Sequence, residues 1–413
     1  MMSYQPCGSG RRWTACLIFT LITALSSWTY GQQKIELSGY SNIDISTAFG
    51  DPADEMQFNM HNLFGGDQEI VEKGTDISFP GMNLFLNSQL SDNLTFQSEI
   101  VFKIEDEFYQ VELEQLYLKY AFSDKFNLTT GMFITPLGYL ARNQRNLEYL
   151  NYSYRIRDMI NESFGYTPFR TLGFQVNGSF DMSTFALNYW FAYGGARGTT
   201  PSSFVLETQL NNEDHSSASL TGNLELFFPL SQGDLNVGFG TTLTPRINSV
   251  YIDTNGGEAE LGDNPTVEPE DMELSEVIIA PYFRYDASKY QIFVEYHRNT
   301  LNDELGNTGT SSYEFNSLTS QIMLKTKIKE KNVFPYLRYD FTKFSNDGSG
   351  PYYGLITTDS HTVRRTHAAD RAQLMIGSAF DLFSFNRIKV EYTLFLNGPE
   401  PQNGINIATA FAF

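Results

Sequence analysis

Residues Leu94–Glu105 read LTFQSEIVFKIE. Leu94, Phe96, Ile100, Phe102 and Ile104 fall on one parity, and Thr95, Gln97, Glu99, Lys103 and Glu105 on the other. A period of two is the signature of a strand with one apolar and one polar face. The run is long for a strand in a globular β protein, and its polar face carries charge of both signs. The same alternation recurs in KIELSGYSNIDIS, where Ile35, Leu37, Ile43 and Ile45 oppose Glu36, Ser38, Tyr40, Asn42 and Asp44. SLTSQIMLKTKIK opposes Leu318, Ile322, Leu324 and Ile328 to Gln321, Lys325 and Lys327.

The connections alternate as well. Short turns fall at SDN (91–93), SDK (123–125), DMS (181–183), SQGD (231–234), DASK (286–289), KEK (329–331) and LFSFN (382–386). Between them lie mostly longer polar segments, roughly 50–74, 136–170, 194–215, 245–274, 300–314 and 344–369. Only the connections near Asp106 and at NGPEPQNG are short. Strands joined alternately by tight turns and long loops are the pattern of an antiparallel up-and-down barrel crossing a membrane. The expected fold is therefore an all-β transmembrane barrel of about sixteen strands. Lipid-facing aromatics are expected near strand ends: Tyr120, Phe122, Phe228, Phe283, Tyr285, Phe380, Phe411 and Phe413 on descending strands. On ascending strands Tyr189, Phe191, Tyr193, Tyr339 and Phe341 should come late. A soluble sandwich or β-helix would explain the alternation but not these girdles. VELEQLYLKYAF resists, because Val111 and Leu113 are out of phase with Leu116, Leu118, Tyr120 and Phe122. Either a bulge near Gln115 restores the phase or the first two residues stand above the membrane.

Composition agrees with a β protein rich in aromatic residues, which make up 15% of its 413 residues. A formal charge of −20 argues against nucleic acid as a partner, since nothing offsets phosphate repulsion. Arg11 and Arg12 precede the apolar run WTACLIFTLITAL and then small and polar residues up to Gly31. That layout is a signal peptide over 1–31, with the barrel over 32–413. An uncleaved anchor is the alternative, against which the run is short for a span of ~20 residues. Cleavage would remove Cys7 and Cys16, the only cysteines, so neither a disulfide framework nor a cysteine metal site is expected. No cofactor is expected. No other long apolar segment exists, so a membrane form must be a barrel.

A barrel this wide is not filled by its own wall residues and encloses water unless something plugs it. The early insertion is the third loop, about 136–170, with RNQRNLEYLNYSYRIRDMINES inside it. Folded inward, it would narrow the lumen and supply Arg142, Arg145, Arg155 and Arg157; otherwise it caps the barrel or packs on neighbouring subunits. Inward positions of the wall add Lys103, Arg284, Lys325, Lys327, Arg338, Arg387 and Lys389. Acids share the lumen at Glu36, Asp44, Glu99, Glu225, Glu295 and Glu391. Basic rings favour anions and acidic rings favour cations, so this set leans weakly to small polar or anionic solutes, with a mixed, poorly selective lumen as the alternative. The acidic fifth loop, DTNGGEAELGDNPTVEPEDMELSE, is read as a solvated face. Divalent cations shared with lipopolysaccharide are its other reading, although the order of a calcium loop is missing.

LEQLYLKYAFSDKFNLTTGMFITPLGY (113–139) resembles outer-membrane porins of the phosphate-selective O/P type. The matching residues are Tyr117, Tyr120, Ser123 to Lys125, Gly131, Phe133, Pro136 and Gly138. PFRTLGFQVNGSF (168–180), followed by LNYWFAYGGARG, is similar to the same family. Together they cover about a fifth of the chain. The resemblance implies a bacterial outer-membrane location, passive diffusion and a homotrimer. It also implies that the terminal Phe413 is offered to the barrel assembly machinery. Phosphate selectivity is not carried over, because the third loop bears arginines and lacks a lysine array. Pro136 cannot donate to a ladder and is expected to end strand pairing where that loop leaves the wall.

Two other classes compete. A barrel enzyme needs a nucleophile with its base, yet four of the histidines (His61, His215, His361, His367) lie in loops, only His297 is near a strand, and no Gly-x-Ser-x-Gly elbow occurs. A closed adhesin or structural barrel without conductance would share the whole pattern. The chain ends INIATAFAF, placing Ile405, Ile407, Phe411 and Phe413 towards lipid. That last strand must pair with the first, or an open edge would face hydrocarbon.

Overall fold

The computed structural model describes residues 35–49, 75–105, 108–143, 170–195, 218–251, 270–303, 312–344, 357–358, 361–362, 371–397 and 403–413. The strands of the wall are β1 (Ile35–Phe49), β2 (Thr75–Ser91), β3 (Leu94–Glu105), β4 (Phe108–Ser123), β5 (Phe126–Ile134), β6 (Arg170–Asp181), β7 (Ala186–Gly194) and β8 (Ser219–Leu230). They continue as β9 (Gly233–Tyr251), β10 (Glu270–Ala287), β11 (Tyr290–Asp303), β12 (Ser312–Leu324), β13 (Lys331–Phe344), β14 (Arg371–Phe383), β15 (Asn386–Asn397) and β16 (Asn403–Ala412). After a break at Lys325, β12 runs on as Thr326–Ile328, and both pieces pair with β13. A two-residue hairpin, Thr357–Thr358 with His361–Thr362, lies between β13 and β14. A short helix, α1 (Gly138–Asn143), follows β5.

Every wall strand pairs antiparallel with its sequence neighbours, and β1 pairs with β16 from Tyr40↔Ala412 to Phe49↔Asn403. The ring is closed at sixteen strands. Gly39 and Phe413 finish the seam by exchanging both backbone hydrogen bonds at 3.0 Å. Closure leaves no edge of unpaired amides for hydrocarbon to meet. The seven tight turns stand where the sequence places them. At Lys329 and Glu330 both residues are left-handed (φ 46° and 68°), as a two-residue hairpin turn that follows strand twist requires.

Alternation along the strands becomes inside and outside. On β8, Ser219, Thr221, Asn223 and Glu225 are buried on the inner face, while Leu220, Leu224 and Leu226 are exposed outside. Phe174, Phe191, Phe239, Phe283, Leu337 and Ile376 are likewise exposed, an apolar outer surface whose natural solvent is lipid. Aromatics form a band beside the short turns. Tyr120 meets Phe122 at 4.5 Å and Phe122 meets Phe126 at 5.2 Å, Phe185 meets Phe228, Tyr285 meets Tyr290, and Phe383 stacks on Phe385. Tyr189 also belongs to this band rather than to the loop side, because β7 begins only at Ala186. Its ring stacks on Phe180, and its hydroxyl donates to the Lys125 carbonyl at 2.7 Å.

The phase conflict on β4 is a bulge. Glu99 pairs with Gln115 but Ile100 pairs with Leu113, leaving Glu114 as the extra residue. Two further register shifts absorb prolines. Phe79 and Pro80 oppose Ile43, and Pro245 and Arg246 oppose Ser275, positions where a missing N–H costs the ladder little. Part of the acidic fifth loop is wall: Glu270–Leu274 belong to β10, and Glu276 faces inward.

Candidate functional site: the strap on the inner wall

The chain leaves β5 at Ile134 and turns inward. Pro136 is the centre of a three-residue turn, with the Leu137 N–H donating to the Thr135 carbonyl at 2.8 Å. Leu137 is then buried against Ile278 and Ala280 of β10. Gly138 is left-handed (φ +70°), which lets the backbone bend into α1 without a Cβ penalty. It also lies flat on the wall, since a Cβ on Gly240 of β9 would stand 2.7 Å from the Gly138 nitrogen. Asn223 Nδ2 donates to the Gly138 carbonyl at 3.0 Å.

The first turn of α1 carries no acidic residue of its own. Its cap comes from β11, where Glu295 Oε2 accepts the N–H groups of Tyr139 and Leu140 at 2.9 and 3.1 Å. A carboxylate there satisfies orphan donors and sits at the positive end of the helix dipole. Its other oxygen, Oε1, accepts from His297 Nε2 at 2.6 Å, and both side chains are almost wholly buried.

At the other end of α1, Arg142 reaches across the lumen face to β8. Its Nη2 donates to Glu225 Oε2 at 2.8 Å and to the Tyr282 hydroxyl at 2.6 Å, and its Nε donates to the Gly138 carbonyl at 2.7 Å. The guanidinium lies over the Trp190 ring, 3.9 Å from its centroid. Asn188 Nδ2 donates to Glu225 Oε1 at 3.0 Å, and the Tyr282 hydroxyl donates to Glu225 Oε2 at 2.9 Å. Tyr282 can lie flat because its cross-strand partner is Gly238, where a Cβ would fall 2.1 Å from the ring. Tyr139 packs between Tyr282 and Phe293, with Arg284 5.3 Å above its ring. Burial pushes the Tyr139 phenol above its ordinary pKa, so it stays neutral.

The other candidates are distributed round the wall, and most lie against a carboxylate. Arg284 and Lys325 both pair with Asp286, and Lys325 also donates to the Ala287 carbonyl at 2.9 Å. Arg338 forks onto Asp340, with Nε 3.0 Å from Oδ1 and Nη2 2.5 Å from Oδ2. Arg387 pairs with Asp381 at 2.7 Å. Lys389 is buried on the inner face of β15, two residues from Glu391, which accepts from the Tyr336 hydroxyl at 2.7 Å. Glu99 takes amide donors from Asn83 and Gln115 at 3.0 and 2.9 Å. Lys327 is exposed near the short turn after β12. Lys103 pairs through its backbone with Gly81 and Gln110, and its side chain lies outside the described residues. Arg145, Arg155 and Arg157 lie outside the described residues as well.

Not legible in the sequence were Trp190, Tyr282 and Asn223 as partners of the strap, His297 as the partner of Glu295, and Arg170, which pairs with Glu114 at 2.6 Å. One signal was available: inward glycines such as Gly238 and Gly377 mark where a large cross-strand side chain lies down on the wall, Tyr282 on the first and Tyr336 on the second.

No protein-family model and no curated protein matches the sequence. Solved structures do match in shape. In-vitro folded OmpT of Vibrio cholerae, in trimer form, aligns over 93% of this chain and 100% of its own at 11% identity, with a TM-score of 0.54. An anion-selective porin from Comamonas acidovorans aligns over 92% and 100% at 9% identity, with a TM-score of 0.57. OprB of Pseudomonas putida aligns over 92% and 94% at 10% identity, with a TM-score of 0.50. The chain therefore has the fold of the porin barrels.

Proposed function

We propose that this chain is a bacterial outer-membrane porin that passes small hydrophilic solutes and ions by passive diffusion. The observation that carries the reading is the strap. A closed barrel with an apolar exterior and a polar, charged inner face holds α1 on that inner face by a built set of contacts: Glu295 at its start and Glu225 at its end. A barrel that serves only as a wall or an adhesin has no need of such a device. A segment fixed across the inner face sets the width of a passage.

The resemblance around 113–139 to porins of the phosphate-selective O/P type supports a place near that group, without its phosphate preference. Export through a cleaved leader over 1–31, contact with lipopolysaccharide and assembly as a homotrimer complete the proposal; one structural neighbour is itself described in trimer form. Because Arg142, Arg284, Arg338 and Arg387 all lie on carboxylates, the lumen is expected to show at most a weak preference for anions, set by arginines of the third loop.

Purified protein reconstituted in planar lipid bilayers tests the reading. Step-like openings with an ohmic conductance are expected, with a reversal potential close to zero in a potassium chloride gradient. A folded barrel that gives no steps would overturn it. Replacing Arg155 and Arg157 by alanine should raise the conductance and reduce what anion preference there is. Unchanged current would take those two residues out of the constriction.

A further inference from the structure

We propose that the short turn between β12 and β13 is a headgroup site for an anionic phospholipid, held by Lys289, Lys329 and Lys331. The site lies on the short-turn rim, and it rests on the porin reading only for naming the leaflet, the inner one of an outer membrane. In a chain of formal charge −20 bases are scarce, and along this rim they are not spread evenly. The turns from β2 to β9 carry Asp92, Asp124, Asp181 and Asp234 against Lys125 alone. The next two turns bring five lysines, Lys289 and the alternate positions from Lys325 to Lys331, against Asp286 and Glu330. Asp286 is already taken by Arg284 and Lys325, and Asp381 on the following turn is held by Arg387. Lys289 and Lys329 are exposed, and their ammonium groups meet no carboxylate among the described residues.

Lys331 stands where a headgroup and its acyl chains would meet. It faces outward opposite Ile328, donates to the Leu382 carbonyl and lies 5.1 Å from the centre of the Phe383 ring. An ammonium has three donors, so hydrogens remain for a phosphate oxygen. Leu324, Ile328, Phe383 and Phe385 are each more than half exposed around it. Lysine stems lie on such an apolar bed while the charge stays at headgroup level. Charge alone would suit any polyanion; the bed beside it selects a lipid. The turn also carries strain. Lys329 and Glu330 hold φ 46° and 68°, where asparagine and glycine are the usual occupants. Charged, exposed side chains kept in that conformation fit a turn retained for what it binds.

The test counts lipid. Folded barrel in detergent is mixed with equal amounts of phosphatidylglycerol and phosphatidylethanolamine, and the adducts are read by native mass spectrometry. Phosphatidylglycerol should be retained about tenfold over phosphatidylethanolamine, a preference that falls as salt is added. The chain carrying Lys289→Gln, Lys329→Gln and Lys331→Gln should lose the preference, and Lys125→Gln, on the acidic part of the rim, should keep it. Should the triple variant not fold, Lys329→Gln alone should cut the preference about fivefold, the effect of one lysine at an anionic surface. Glycerol phosphate, a headgroup without chains, should not displace the lipid at equal concentration; displacement would reduce the turn to a free-anion site and overturn the proposal. Equal retention of the two lipids by the parent, or a preference untouched in the lysine variants, would overturn it too. Lysine-dependent sedimentation with isolated cell-wall sacculi, without lipid preference, would assign the turn to the wall instead. Adducts are counted without current. A selective barrel that never conducts therefore sinks the porin reading alone, and a conducting barrel indifferent to headgroup sinks the lipid site alone.

Discussion

Tyr282 shows how much one residue's neighbour decides. Its ring lies flat on β9 only because Gly238 opposite offers no side chain, and its hydroxyl thereby reaches both Arg142 and Glu225. Gly238→Val would put methyl groups where the ring now is. We expect a loss of about 1–3 kcal/mol, the usual cost of overpacking a fitted site, read as a lower urea midpoint of the barrel in vesicles. Gly39 and Phe413 repeat the device on the outer surface, where a Cβ on Gly39 would sit 2.6 Å from the Phe413 ring. The sequence marks such glycines only as weak points in strands. Their use depends on which residue the register brings opposite.

At the scale of elements, β4 and α1 teach different lessons. The out-of-phase start of β4 was visible in the sequence, and the bulge at Glu114 is its resolution. The bulge also has chemistry in it, because Glu114 turns to meet Arg170 at the start of β6 with both side chains nearly buried. Breaking a buried ion pair by removing one member is costly, so Glu114→Ala is expected to cost on the order of 3 kcal/mol. The double variant with Arg170→Met should recover most of it; thermal unfolding of the two proteins in detergent decides. α1 was not legible at all. A helix is normally announced by a capping side chain beside its first turn, and here that side chain comes from β11. The sequence reading did bring the third loop inward as one of two options, and its first residues, Thr135–Asn143, do lie on the inner wall.

At the scale of the molecule, closure is the governing fact. β1 and β16 are neighbours only because the sheet curls through sixteen strands, and Phe413 is the last residue of that seam. Deleting Phe413 removes two backbone hydrogen bonds and the ring over Gly39. We expect destabilisation of about 1–2 kcal/mol and slower folding into vesicles, followed by the gel shift between folded and heat-denatured forms. Equal folding rates would mean that the seam closes without it. What the sequence by itself determined is the wall. Period-two alternation and seven tight turns are local properties, and strand count and facing follow from them. Only the tertiary structure decided the interior. The basic residues counted from the sequence as one group were brought onto Glu225, Asp286, Asp340 and Asp381, and the strap was fixed by Glu295. Alternation states that a side chain points inward. What it meets there depends on register, stagger and curvature summed round the whole ring, and no stretch of sequence carries that sum.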